Sequence, residues 1–164
     1  MKRKEVVVFL LKTEGDVTKV LLGLKLRKVG LGKRNGYGGG VKKCESAIAA
    51  AVRELSEELG IFVSPKDLQE KGFLNIIVRK MSWRNDCHDL HIFTLRQWQG
   101  SFKEDETEGI IDPQWFNVNA LPDDLIDSDK AWLSYVLYGA KVQGSIIVRV
   151  FRAKVTTFNF DVIY

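Results

Sequence analysis

The chain has 164 residues, 45% of them hydrophobic and 28% charged, with a formal charge of +4. That length and balance predict one folded domain, residues 1–164, with room for a sizeable core. Three prolines, no low-complexity tract and no internal repeat argue against a long linker, a disordered tail or a solenoid.

The small positive excess suits an anionic partner such as a phosphate or a nucleic acid, or is simply an ordinary basic surface. Cys44 and Cys87 can form one bridge at most, and with no secretory context they read as reduced thiols. The opening MKRKEVVVFLLKTEGD imitates a signal peptide. Its apolar run, Val6 to Leu11, is too short to span a membrane, and charge follows with no small-residue cleavage site. A first strand and a cytoplasmic protein with no membrane association are the expectation.

Val6 to Leu11 and Val20 to Leu24 read as two strands, with KTEGDVTK between them as a hairpin loop containing Gly15. Arg27 to Lys43 crowds Gly30, Gly32, Gly36, Gly38, Gly39 and Gly40 together, so the backbone there must turn sharply or let something approach closely. Ser46 to Leu59 reads as a helix, because Ile48, Ala51, Val52, Leu55 and Leu59 follow helical spacing and Gly60 is a good stop. Phe73 to Val78, Leu90 to Leu95 and the short Gln114 to Val118 read as strands. Asp123 to Lys141 reads as a second helix starting near Ser128 or Asp129, and Ser145 to Phe151 with Val155 to Ile163 as a terminal hairpin. This order predicts an α+β or mixed α/β domain without regular βαβ alternation.

The helix carries an oddity. In RELSEELG, Glu54, Glu57 and Glu58 share one stripe of one face, where like charges repel. Two carboxylates about 5 Å apart cost about 3 kcal/mol at an effective dielectric near 20, and a divalent cation between them reverses the sign. Oxygen ligands at this spacing suit a hard ion, Mg²⁺ or Mn²⁺. Arg53, four residues before Glu57, can pair with it. A solvated acidic face is the plainer alternative, but the neighbouring glycines and Arg53 come with the stripe.

From Gly39 the chain runs GGVKKCESAIAAAVRELSEELGI, with Glu45, Arg53-Glu54, Leu55, Glu57-Glu58 and Gly60-Ile61 in turn. This resembles the signature of the Nudix hydrolases, G-x5-E-x7-R-E-U-x-E-E-x-G-U, at every fixed position. The resemblance implies an α/β/α sandwich that hydrolyses a nucleoside diphosphate linked to another group. It implies Glu54, Glu57 and Glu58 as metal ligands, joined by the Gly38 carbonyl, with Glu57, Glu54 and Arg53 serving catalysis. A glutamate from a later loop completes such sites in many members; KEDETEGIIDPQWF offers Glu104, Glu106 and Glu108, of which Glu108 is preferred.

Beyond the signature, VLLGLKLRKVGLGKRNGYGGGV, HDLHIF and the closing GSIIVRVFRAKVTTFNFDVIY are similar to the oxidised purine nucleoside triphosphatases of that family. By that likeness Asn35 and Asp129 read the base, and Lys25, Gly38, Gly39 and Trp132 complete the substrate set. Asn35 alternatively serves a turn with Gly36, and Trp132 either stacks on a base or belongs to the core. Three departures stand out. Cys44 replaces the usual glycine before Glu45, so the loop must avoid a positive φ there or carry the strain. Gly40 replaces a lysine, and Arg34 replaces a tryptophan.

Cys87, His88 and His91 do not make a convincing zinc site, since the two histidines face opposite sides of a strand. Lys33, Arg34, Lys42 and Lys43 form a basic rim that attracts a triphosphate or is merely solvated. The expected activity is Mg²⁺-dependent hydrolysis of an oxidised purine nucleoside triphosphate, such as 8-oxo-dGTP, by a monomer without nucleic acid as partner. Water is the nucleophile, and the products are the monophosphate and pyrophosphate. Dinucleoside polyphosphate, ADP-ribose or capped RNA as substrate, and a silent nucleotide- or RNA-binding module, remain the alternatives.

Overall fold

A strand buried along its whole middle needs both faces of its sheet covered. In the computed structural model, which describes residues 2–26, 30–79, 85–103, 106–149 and 154–164, β1 (Arg3–Glu14) is such a strand. Alternation splits its side chains: Val7, Phe9 and Leu11 join one core, and Val6, Val8 and Leu10 the other. On one side it pairs antiparallel with β2 (Val17–Lys25), and on the other it pairs parallel with β5 (Asp86–Leu95). The sheet runs β3-β2-β1-β5-β4-β7-β8, with β6 also on β2. The remaining strands are β3 (Arg34–Asn35), β4 (Leu68–Arg79), β6 (Ile110–Asn117), β7 (Lys141–Arg149) and β8 (Lys154–Ile163).

One face is covered by α1 (Ala47–Leu59), whose Ala50, Ala51, Leu55 and Leu59 are buried. Ser46 is its N-cap, accepting the Ala49 N–H at 3.1 Å. Gly60, at φ +68, ends it by donating to the Ser56 carbonyl at 3.0 Å. The other face is covered by a 3-10 turn (Asp129–Ala131) and α2 (Leu133–Leu137). Trp132, Leu133 and Val136 fill the second core from there. The result is the mixed sheet between helices expected of an α/β/α sandwich. No helix among the described residues is long and apolar enough to cross a membrane.

Several boundaries differ from the expectation. The first hairpin turns on Gly15 and Asp16 alone, because pairing continues through Thr13↔Thr18 and Glu14↔Val17. β4 and β5 are longer than their apolar runs, since Gln69↔Thr94 and Glu70↔Phe93 extend β4, and Asn75↔Asp89 and Ile77↔Cys87 extend β5. The second helix is far shorter than Asp123 to Lys141. Arg34 N–H donates to the Asp124 carbonyl at 2.8 Å, and Leu125 bridges Arg34 in parallel, so that stretch spends its hydrogen bonds on β3 instead of on a helix. β3 itself was not anticipated. The terminal hairpin is present, although the expected end at Phe151 lies outside the described residues.

Gly72 makes the register shift between β4 and β5 possible. Its φ is +120°, and a methyl group there would lie 1.8 Å from the Val142 carbonyl oxygen. Gly72→Ala is therefore expected to destabilise the fold by about 2 kcal/mol or more, read as a lower urea midpoint with an unchanged slope.

Candidate active site

The glycine loop lies against β1. Tyr37 and Val8 exchange backbone hydrogen bonds at 3.0 and 2.7 Å, and Val6 N–H donates to the Gly39 carbonyl at 2.9 Å. A methyl group on Gly38, at φ +149, would sit 2.2 Å from the Val6 carbonyl oxygen, and one on Gly39 would sit 2.6 Å from Glu54 Oε1. Only glycine lets strand, loop and acidic helix meet this closely. The contact is used: Gly38 N–H donates to Glu58 Oε2 at 2.7 Å.

Arg53 organises the rest of the stripe. Its Nη1 donates to Glu54 Oε1 at 2.8 Å and to Glu57 Oε2 at 2.7 Å. Its Nε and Nη2 donate to the two oxygens of Glu45 at 2.9 and 3.1 Å, and Nη2 also donates to the Gly40 carbonyl at 3.0 Å. The Glu57 pairing follows from helical spacing; the fork to Glu45 and Glu54 does not. Arg53, with the Lys42 N–H, holds the Glu45 carboxyl down at about 2. Cys44 takes a φ of +64°, so the loop carries the left-handed strain that glycine would avoid.

Glu58 has the opposite problem. Burial pushes its carboxyl up to about 8; the Gly38 N–H and Lys25 work against that rise, while the charges of Glu54 and Glu108 add to it. Glu108 lies exposed in a turn (Glu106–Glu108). Glu104 and the side chain of Glu106 lie outside the described residues. No three acidic, histidine or cysteine side chains among the described residues stand close enough to hold a metal ion as oriented. Arg53 engages Glu54 and Glu57, and Gly38 engages Glu58. The donors still fit a hard divalent cation: all are oxygens, and a bound cation would favour the ionised form of Glu58 that burial disfavours. His88 lies 3.4 Å from Glu5, and His91 packs on the Phe73 ring.

Across the sheet edge, Asn35 Oδ1 accepts the Gly36 N–H at 2.8 Å. Asp129 is buried, and that burial raises its carboxyl to about 7 against the lowering by the Ser128 hydroxyl and Lys25. The charge of Lys25 works against the burial of both Glu58 and Asp129. Trp132 is placed differently from a stacking platform. Its ring is fully enclosed, edge-on to Phe9 at 5.8 Å, and its Nε1 has no hydrogen-bond partner. A side chain on the sheet-facing side of a helix has no free face for a base, so the core alternative is the one observed. Sequence reasoning also missed that a buried Arg34 pairs with the half-exposed Asp112 and Asp124; the arginine beside Asn35 was its only trace.

An acid-striped helix packed on a glycine loop, beside a mixed sheet, defines a MutT-type α/β/α sandwich. The chain belongs to the Nudix hydrolase family: the NUDIX domain model matches residues 1–138. It is 34% identical over 127 residues to the oxidized purine nucleoside triphosphate hydrolase of Mus musculus, covering 77% of this chain and 76% of that protein. To the Danio rerio protein of the same name it is 36% identical over 104 residues, 63% of this chain and 62% of that one. A MutT protein from Bacillus halodurans shares the fold at a TM-score of 0.78 and 19% identity, with 97% of each chain covered. A MutT NUDIX hydrolase from Burkholderia pseudomallei does so at 0.67 and 20%, covering 81% of this chain and 96% of its own.

The buried acids make metal-free stability depend on pH. The folded Glu58 holds a proton up to about pH 8, whereas its ordinary value is 4.5, so the native state binds more protons in between. Its contribution is complete below pH 4.5 and is lost as pH rises through 8. In EDTA, melting temperature should fall from pH 5 to pH 8, Glu58→Gln should flatten that fall, and added Mg²⁺ should restore the wild type at pH 8. A wild-type melting temperature that rises over this range in EDTA contradicts the assignment.

Proposed function

We propose that this protein hydrolyses an oxidised purine nucleoside triphosphate, such as 8-oxo-dGTP, to the monophosphate and pyrophosphate, using Mg²⁺ or Mn²⁺. The supporting observation is the closure of the acidic stripe on the glycine loop: Gly38 N–H donates to Glu58 at 2.7 Å, and Arg53 holds Glu54 and Glu57 at 2.8 and 2.7 Å. The named activity of the Mus musculus relative favours the same substrate class.

In this reading Glu54, Glu57, Glu58, Glu108 and the Gly38 carbonyl hold the cation. When bound, it supplies positive charge against the substrate phosphates as the phosphoanhydride bond breaks. Glu57, the exposed member of the stripe, takes the proton from the attacking water. Arg53 keeps Glu54 and Glu57 aimed through its 2.8 and 2.7 Å hydrogen bonds. Lys25 and the Gly38–Gly39 backbone face the phosphates. Asn35 and Asp129 meet the purine edge, and a carboxyl titrating near 7 donates a hydrogen bond when protonated and accepts one when ionised. The wrong base leaves such buried groups unpaired, which discriminates strongly.

Glu57→Gln should lower kcat by at least about a hundredfold with the melting temperature unchanged; a near wild-type rate would reject the assignment. Substrate class is read from product analysis on 8-oxo-dGTP, 2-oxo-dATP, the normal dNTPs, a dinucleoside tetraphosphate, ADP-ribose and capped RNA with Mg²⁺. The oxidised purine triphosphates should give the highest kcat/KM, and a higher value for any of the last three would replace this reading. Asp129→Ala should hurt 8-oxo-dGTP more than dGTP, and equal losses would remove Asp129 from base recognition.

A further inference from the structure

The stretch from Asp124 to Asp129 carries the acid assigned to the base, yet it borrows its shape from Arg34. Through the backbone, Arg34 N–H donates to the Asp124 carbonyl at 2.8 Å and the Ile126 N–H donates to the Arg34 carbonyl at 3.3 Å. Asp129 N–H in turn donates to the Ile126 carbonyl at 2.9 Å. The side chain repeats the tie. Nη2 and Nη1 donate to Asp112 Oδ2 at 2.6 Å and to the Asp112 carbonyl at 3.1 Å, and Nε lies 3.6 Å from Asp124 Oδ2.

This arrangement is costly unless the arginine is doing something. Arg34 is only 9% exposed, and its guanidinium carbon lies 5.1 Å from the centre of the Phe116 ring. Asp112 holds a φ of +53°, unusual for a residue with a side chain. Among the described residues Asp124 Oδ1 has no hydrogen-bond partner, and Arg34 Nε is the charged group that approaches its other oxygen. A planar fork can bridge Asp112 and Asp124 together; a lysine, with a single ammonium, cannot hold the same geometry.

We propose that Arg34 is a positioning residue that sets base selectivity: its fork ties Asp124 to Asp112, and so fixes the segment that carries Asp129 against the strand in which Asn35 follows Arg34. The proposal rests on the reading of Asn35 and Asp129 as the groups that meet the base. Among the described residues the side chain of Arg34 pairs with Asp112 and Asp124 and packs on Phe116, away from Glu54, Glu57 and Glu58, so its influence falls on recognition.

The test compares kcat and KM for 8-oxo-dGTP and dGTP in Arg34→Lys, with melting temperature recorded alongside. Selectivity, the ratio of the two kcat/KM values, should fall about tenfold, through a higher KM for 8-oxo-dGTP, with kcat retained. Combined with Asp129→Ala, Arg34→Lys should cost little further selectivity, because both act through one group; fully additive losses would overturn the proposal. Asn35→Ala and Asp129→Ala alone are the controls. If they shift selectivity and Arg34→Lys does not, a purely structural role replaces this one and the base reading stands. If none of the three shifts it, the base reading fails and the proposal with it. Should Arg34→Lys not fold, Asp124→Asn removes the same charge pairing at constant shape. Lost selectivity there supports the proposal, and unchanged selectivity overturns it.

Discussion

Glu54, Glu57 and Glu58 repel one another along one turn of α1, and the surrounding structure is organised to tolerate that repulsion. Each is answered differently. Glu57 sits in solvent with Arg53 and, at 3.6 Å, Lys42 beside it. Glu54 shares the Arg53 fork. Glu58, the buried one, has the Gly38 N–H and the more distant charge of Lys25, which leaves it short of compensation. A site built only for stability would replace such an acid with an apolar residue, because unpaired buried charge is expensive. Retaining it makes sense where something cationic arrives later.

The same constraint explains the glycines. Burying Glu58 against a backbone N–H demands that the loop press between β1 and α1, and contacts of the order found at Gly38 and Gly39 leave no space for a Cβ. Loop position in turn depends on β1 being a central strand, packed on both faces. The apolar run that looked at first like a secretory segment is therefore the anvil on which the glycine loop is held. Its alternation sends Val6 and Val8 toward α1 and Val7 and Phe9 toward Trp132, so both halves of the site hang from one strand.

Legibility in the sequence followed the range of the interactions. α1 was readable because its period, its Ser46 cap and its Gly60 stop all lie within the helix. The acidic stripe was readable for the same reason, as an offset along one face. The helical start near Asp129 was readable, but the pairing of Asp124 to Ile126 with Arg34 was not, because that partner lies some ninety residues earlier in the chain. Trp132 shows a further limit. Amphipathic spacing tells that a helix has a buried face, but not how completely the ring on that face is enclosed.

Lys25 is where these threads meet. It ends β2, so its backbone is fixed by pairing with Ile110 on β6 and by the Lys33 carbonyl, which accepts its N–H at 3.0 Å. From that fixed point its ammonium lowers the carboxyls of both Glu58 and Asp129 against their burial. The two acids belong to opposite ends of the proposed substrate, and each titrates within reach of neutral pH because burial outweighs that one shared cation.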